Sequence, residues 1–353
     1  MRHRLATAVL AVASTLGALA LCEVGLRLAT GPLFPSDERF SFRWMAYDPV
    51  FSWRNVPGSW KKKYYAAGEV VPVHLRINAH GLRGPEIALP KPAGVTRIAC
   101  LGDSATFGLI NNPKPPGRKP RMVPIASYPA ELSQLLAREA PERFEVLNAG
   151  VIGYSSSHGL RQLAVRILDL DPDIITVRFG VNDSLPSWAP WYRATEPASR
   201  SLRALLYASA DWKLTRLTLS GYHSVRWLHP EPESVRWTSV DRFRRNLERI
   251  VEIAGAGGAG VLLLDYPIAP SVGDRSDAMR ASLARYHAVI RDVSRRAGVP
   301  VLETRARFAR HAEPLFDPID IIHPNPRGAA FLAQLIDQRL RGLGWLDAPG
   351  TFR

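Results

Sequence analysis

The chain has 353 residues, 46% of them hydrophobic, and a formal net charge of +14 from 46 Lys and Arg against 32 Asp and Glu. That length suits one α/β domain with insertions, and the apolar fraction is ordinary for a chain with a real core. The basic balance could serve nucleic acid, an anionic membrane face or an acidic polymer. The sole basic run is Lys61-Lys62-Lys63, and no helix-turn-helix, zinc-finger or RNA-binding signature is present, so nucleic acid is the disfavoured partner. Cys22 and Cys100 are the only cysteines, which excludes a disulfide framework or a cysteine metal site.

In chain order, Met1 to Arg4 is a short basic region and Leu5 to Cys22 runs uncharged, rich in Ala, Val and Leu. The length lies between a signal-peptide core and a transmembrane helix. Ala18-Leu19-Ala20 resembles a cleavage site, and Leu21 is too bulky for a lipoprotein signal ending at Cys22. Glu23 and Arg27 stand four apart and the apolar pattern continues through Leu28, which favours an uninterrupted, uncleaved helix. Residues 1–30 are therefore expected to form a membrane signal-anchor with the rest of the chain outside the cytoplasm, periplasmic or extracellular. Secretion after signal cleavage is the alternative.

Residues 31–94 read as a small β-rich segment. Turn signals at Tyr47-Asp48-Pro49, Val56-Pro57-Gly58 and Ala79-His80-Gly81 surround a strand predicted over Val70–Ile77. Asn78 to Gly84 reads as a structural turn, with His80 and Arg83 as secondary candidates for binding.

From 95 to 345, strands and helices alternate. Strands are predicted at Arg97–Gly102, Phe144–Asn148, Ile174–Phe179, Val261–Tyr266 and Val299–Glu303. Helices are predicted at Tyr128–Glu139, Ser157–Asp169, Val240–Ala256 and Ser276–Ala297, with a terminal one at Phe331–Leu340. The pattern implies an α/β fold: a three-layer α/β/α sandwich around a parallel sheet of about five strands. A long connection, 184–237, interrupts it and carries Trp188, Trp191, Tyr192, Trp212, Trp227 and Trp237. Such an insertion could wall a cleft, stack on sugars or meet a membrane, or simply pack its own small core.

Four constellations fall at the predicted strand ends or in late loops. Gly102-Asp103-Ser104 follows the first strand, where Ser104 enters a helix's first turn among free N–H groups; Ser104 could equally be a helix N-cap. Asn148 to Ser155 follows the second, and the N–H of a glycine such as Gly153 could serve as an oxyanion donor or the glycine could merely turn the chain. Gly180-Val181-Asn182-Asp183 follows the third, where the Asn182 amide could face the same oxyanion or form an Asx-turn. Asp320 and His323 lie three apart in a late loop, so that a carboxylate could orient an imidazole.

The ordered set resembles the SGNH (GDSL-type) hydrolase family over roughly Arg97 to Leu340, with Ala105 in place of the leucine that often follows the family serine. The 1–30 segment and Gly81-Leu82-Arg83-Gly84 look like its membrane-tethered bacterial members. The resemblance implies a flavodoxin-like fold in which Ser104 is the nucleophile, His323 the base and Asp320 its orienting acid. It further implies an oxyanion hole from the Ser104 and Gly153 N–H groups and the Asn182 side chain, with no metal and no organic cofactor. A serine esterase acting on O-acetyl or other acyl esters of cell-surface or exported carbohydrate is the leading expectation. A lipid-directed esterase (lysophospholipase or thioesterase), a polysaccharide acyltransferase and a non-catalytic glycan-binding member are the alternatives. No sequence signal sets an oligomeric state.

Overall fold

The computed structural model describes residues 42–48, 50–66, 69–112, 121–185, 238–269, 274–318 and 320–347, with scattered positions in 7–24. The tryptophans and Tyr192 of the 184–237 insertion lie outside the described residues, as does most of the expected anchor over 1–30. Where positions within 7–24 are described they are helical, and among the described residues no helix is long and apolar enough to cross a membrane.

Two compact units divide the chain, with a boundary between Arg54 and Asn55. In the first, β1 (Met45–Asp48) pairs with β2 (Ser52–Asn55), and Asp48 Oδ1 closes their turn by accepting from the N–H groups of Val50 and Phe51, each at 2.8 Å.

The second unit begins with an antiparallel hairpin of β3 (Gly58–Ala66) and β4 (Glu69–Ile77). There follow β5 (Thr96–Gly102), α1 (Ser104–Phe107), and a second hairpin of β6 (Leu109–Asn112) and β7 (Arg121–Pro124). Next come α2 (Tyr128–Glu139), β8 (Phe144–Gly150), α3 (Ser156–Gln162), β9 (Ile174–Arg178) and α4 (Val181–Ser184). The chain continues through α5 (Val240–Ala256), β10 (Gly260–Leu264), α6 (Asp274–Ala297), β11 (Val301–Leu302), α7 (Arg305–Arg310) and α8 (Pro326–Gly342).

Five of these strands form one parallel sheet in the order β11-β10-β9-β5-β8. β5, β9 and β10 are buried along their whole length, which is why they are mostly apolar rather than alternating, although Arg97, Thr176 and Arg178 are buried with them. Ile98, Cys100, Ile174, Leu262 and Leu264 share one core with residues of α2 and α8, among them Leu132, Leu136, Leu332 and Ile336. α5 and α6 pack on each other and on β10. This is the three-layer arrangement that the alternation of elements predicts. Because β5 is the first of the five strands yet lies inside the sheet, successive connections leave it in opposite directions. A crevice opens at the carboxyl ends of strands at such a point.

The strand expected at Val299–Glu303 shrinks to Val301–Leu302, the terminal helix expected from Phe331 starts at Pro326, and two further details depart from the expected elements. The predicted helix over Ser157–Asp169 is α-helical only to Gln162; it widens to a π turn at Leu163–Ile167 and tightens to a 3-10 turn at Leu168–Leu170. The Lys61-Lys62-Lys63 run, whose charge hides any alternation, is the middle of β3. Lys61 and Lys63 are exposed while Tyr64, the next residue, is buried.

Candidate active site

The site is built on two glycines. Gly102 and Gly150 are register partners at the ends of β5 and β8. A Cβ on Gly102 would lie 2.1 Å from Thr106 Oγ1, and one on Gly150 would lie 2.2 Å from the Phe107 N. Their absent side chains therefore let α1 settle on the sheet edge. Gly102 is required for this approach, and not by a left-handed backbone.

Asp103, not Ser104, caps α1: its Oδ1 accepts from the Ala105 N–H at 3.0 Å. The same oxygen accepts from the Tyr266 hydroxyl at 3.2 Å, and the Arg178 guanidinium lies 4.1 Å from the centre of the Tyr266 ring. Burial pushes the Asp103 carboxyl up, opposed by the Arg178 charge and the Ala105 N–H. With capping done by its neighbour, Ser104 is free to turn its hydroxyl elsewhere. Its Oγ lies 2.8 Å from His323 Nε2, at a residue 8% exposed.

His323 and Asp320 come from the loop between α7 and α8. His323 Nδ1 stands 2.9 Å from Asp320 Oδ2 and 3.0 Å from Oδ1. Since a carboxylate only accepts, the proton sits on Nδ1 and leaves Nε2 as the acceptor for the serine hydroxyl. Asp320 also accepts from the backbone N–H groups of Asn111 (2.7 Å), His323 (3.0 Å) and Ile322 (3.1 Å). Burial pushes its carboxyl up, but the bond and charge of His323 and the N–H groups of Asn111 and His323 together hold it below the ordinary carboxylate value. Asn325 closes the loop: its Oδ1 caps α8 through the Gly328 N–H at 2.9 Å, and its own N–H donates to the Leu315 carbonyl at 2.9 Å.

Gly153 and Asn182 follow β8 and β9, the strands that flank β5. Gly153 has φ +79°, and Gly180, at the N-cap of α4, has φ +137°. Asn182 Nδ2 donates to the Tyr154 carbonyl at 2.9 Å, which ties the third-strand loop to the loop that carries Gly153. Asp183 reinforces the tie by accepting from the Ser156 N–H (3.0 Å) and hydroxyl (2.6 Å); burial pushes its carboxyl up to about 6. The structure thus joins Ser104, His323 and Asp320 by direct bonds. It joins Asn182 and the Gly153 loop to each other, at the same end of the sheet.

Arg83 spends its side chain on backbone. It is half-buried, and its guanidinium donates to the carbonyls of Phe107, Gly108 (3.0 Å) and Ile125 (2.6 Å). Asn111, Tyr266 and Tyr64, whose hydroxyl donates to Asp317 Oδ2 at 3.0 Å, are site neighbours that no motif marks. Among the described residues, no group of three His, Cys, Asp or Glu could hold a metal ion.

The sequence pattern of the GDSL-like lipase/acylhydrolase family matches residues 100–331, about two thirds of the chain. The chain belongs to the GDSL-like lipase/acylhydrolase family. As a member of that family it is a hydrolase acting on ester bonds. Ser104, Gly153, Asn182, Asp320 and His323 all fall within the matched stretch, whereas β3, β4 and Arg83 precede it. Similar solved structures include a lipase/acylhydrolase from Enterococcus faecalis, at 20% identity and TM-score 0.47, covering 70% of this chain and 96% of that one. An α/β hydrolase enzyme from the metagenome of Lake Arreo, Spain, is similar at 19% identity and TM-score 0.47, covering 71% and 96%. A catalytic mutant of an acetylxylan esterase from Geobacillus stearothermophilus is similar at 18% identity and TM-score 0.46, covering 70% and 94%. No curated protein sequence matches the chain.

Proposed function

We propose that this acylhydrolase works through an acyl-serine intermediate on Ser104, and that its substrates are acyl esters, O-acetyl esters above all, of cell-surface or exported carbohydrate. The observation that carries the mechanism is the continuous chain of bonds from Ser104 Oγ through His323 to Asp320. His323 Nε2 takes the Ser104 proton as Oγ attacks the ester carbonyl. Collapse of the tetrahedral adduct breaks the bond to the alcohol, which leaves with the proton from His323. Water then attacks the acyl-serine, gives a proton to His323, and Oγ recovers it as the carboxylic acid departs. Asp320 keeps its charge throughout and holds the imidazole in the productive tautomer.

Negative charge develops on the carbonyl oxygen. The Ser104 N–H, the Gly153 N–H and the Asn182 amide are assigned as its donors. Asn182 Nδ2 has two N–H bonds; one is engaged by the Tyr154 carbonyl, which orients the other. The carbohydrate assignment is supported by the N-terminus, whose basic start and uncharged run suit an anchor with the enzyme outside the cytoplasm, and by the aromatic-rich 184–237 insertion.

The experiment compares wild type and Ser104→Ala on activated esters of increasing acyl length, with a serine-directed phosphonate as label. The reading requires turnover and labelling that both vanish in Ser104→Ala, with acetyl preferred. Preference for long chains would move the substrate to lipid esters. Release of free acid suppressed by added sugar acceptors, with acyl-sugar formed instead, would make the enzyme a transferase. A folded wild type that neither labels nor turns over would refute the enzyme mechanism.

A further inference from the structure

The segment 58–84 precedes the stretch that matches the family, yet it reaches the site at two points. The first is Arg83. α1 is a single turn of four residues, too short to hold its own end, and the carbonyls of its last residue and of its C-cap take partners from outside the helix, Phe107 O accepting from Asn148 Nδ2 at 3.3 Å as well as from Arg83. One Arg83 nitrogen, Nη1, donates to both Phe107 O and Gly108 O, while Nη2 donates to Ile125 O. Gly108 and Ile125 bracket the β6–β7 hairpin, and the Ile125 N–H donates back to the Gly108 carbonyl at 2.8 Å. One planar guanidinium therefore fixes the exit of the nucleophile turn and both feet of the hairpin. Three residues beyond Gly108, the Asn111 N–H donates to Asp320 Oδ2.

The second point is Tyr64 on β3. Its ring packs with Ile110 of β6 and with Ile125, and its hydroxyl bonds Asp317, three residues before Asp320. Gly108 is adapted to the contact with Arg83: it has φ +89°, and a Cβ there would lie 2.6 Å from Arg83 Nη1. Arg83 itself is anchored from behind, its N–H donating to the Asn148 carbonyl at 3.1 Å. Among the described residues the arginine has no carboxylate partner, and burial pulls it down to about 10, so it remains charged at neutral pH. Withdrawing a cation partly from water to bind carbonyls, with no carboxylate beside it, is costly, and such departures from ordinary packing collect at functional sites.

We propose that Arg83 is a positioning residue for the ester reaction, and that the β3–β4 arm with its Arg83 turn is part of the catalytic apparatus. It holds the Ser104 turn at one end of the β6–β7 hairpin while the Asn111 N–H and Tyr64 hydroxyl hold the Asp320 loop. This rests on the Ser104–His323–Asp320 reading above. Arg83 touches no substrate, so its loss misaligns the reacting groups without removing a binding contact, and the deficit falls on kcat.

The test uses the full-length chain, p-nitrophenyl acetate as substrate and phosphonate labelling as a second readout. Arg83→Met, which keeps the stem and removes the fork, is expected to lower kcat about 100-fold, the scale of a misplacement of about 1 Å, with KM unchanged within about threefold. Labelling of Ser104 should slow in parallel. Arg83→Lys restores a charge but not a planar fork spanning several carbonyls, and should recover only part of the rate. Tyr64→Phe loses one hydroxyl and should lower kcat several-fold with its melting temperature nearly unchanged. Arg83→Met or Arg83→Lys with kcat within threefold of wild type, or a loss confined to KM, overturns the proposal. Should Arg83→Met fail to fold, unchanged kcat in both Arg83→Lys and Tyr64→Phe overturns it equally. The underlying reading fails separately, if Ser104→Ala retains activity.

Discussion

Asp320→Asn is the sharpest perturbation of the triad, because the carboxylate has donors on every side. Oδ2 meets the His323 ring and the Asn111 N–H; Oδ1 meets the His323 ring and the backbone N–H groups of Ile322 and His323. An asparagine must place its NH2 on one side and its oxygen on the other. With the oxygen facing Ile322 and His323, where it keeps two backbone bonds, the NH2 faces the Asn111 N–H and the ring nitrogen. The imidazole then gains by presenting an unprotonated Nδ1 to that NH2, which moves its proton to Nε2. In that tautomer Nε2 donates and cannot receive the Ser104 proton. A wrong tautomer in a serine triad costs about 10⁴ in kcat, or about 5.4 kcal/mol of barrier. The opposed Asn111 N–H costs a further 1–3 kcal/mol of stability, roughly, as an unsatisfied buried donor. The assay is hydrolysis of p-nitrophenyl acetate near neutral pH, with thermal unfolding as a control. A folded Asp320→Asn enzyme retaining more than about a tenth of wild-type kcat would refute the orienting role of Asp320.

Removal of the amide in Asn182→Ala should slow turnover by about 10²–10³, or about 2.7–4 kcal/mol, as for other oxyanion donors, while leaving the protein folded; a loss smaller than tenfold would exclude Asn182 from the hole. Gly102→Ala sets a methyl 2.1 Å from Thr106 Oγ1 and 3.0 Å from the Arg178 carbonyl. It should cost roughly 1–3 kcal/mol in unfolding experiments and abolish phosphonate labelling by displacing α1; normal labelling would mean α1 does not need that approach. Asp183 tests the polar buttress beneath Asn182. Its folded value of about 6 stands above the ordinary 3.8, so its contribution to stability is fully present below the unfolded value and is lost as pH rises through about 6. Across that window the wild type should lose about 3 kcal/mol relative to Asp183→Asn, read from denaturant unfolding at a series of pH values; parallel curves would show that Asp183 is not perturbed.

Much of this protein is legible in local sequence. Predominantly apolar stretches such as Arg97–Gly102 and Ile174–Phe179 mark strands buried on both faces, and β5 and β9 lie where those stretches lie. The periodicity of Tyr128–Glu139 and Val240–Ala256 matches α2 and α5 end to end. The order of Ser104, Gly153, Asn182, Asp320 and His323 identifies the family, because each stands beside short turn residues that survive as text. The supports of the site do not survive as text. The Asn111 contact uses a backbone N–H, which every residue but proline carries. Arg83 and Tyr64 act on groups 42 and 253 positions further on, and no spacing rule relates residues that far apart. Even the division of labour between Asp103 and Ser104 needed coordinates, since either could cap a helix. Sequence by itself determined the fold class and singled out the candidate residues Ser104, Asp320 and His323, because local periodicity and turn chemistry encode them. Tertiary structure alone decided what holds those residues in line, because carbonyls and N–H groups acquire partners only when distant segments meet.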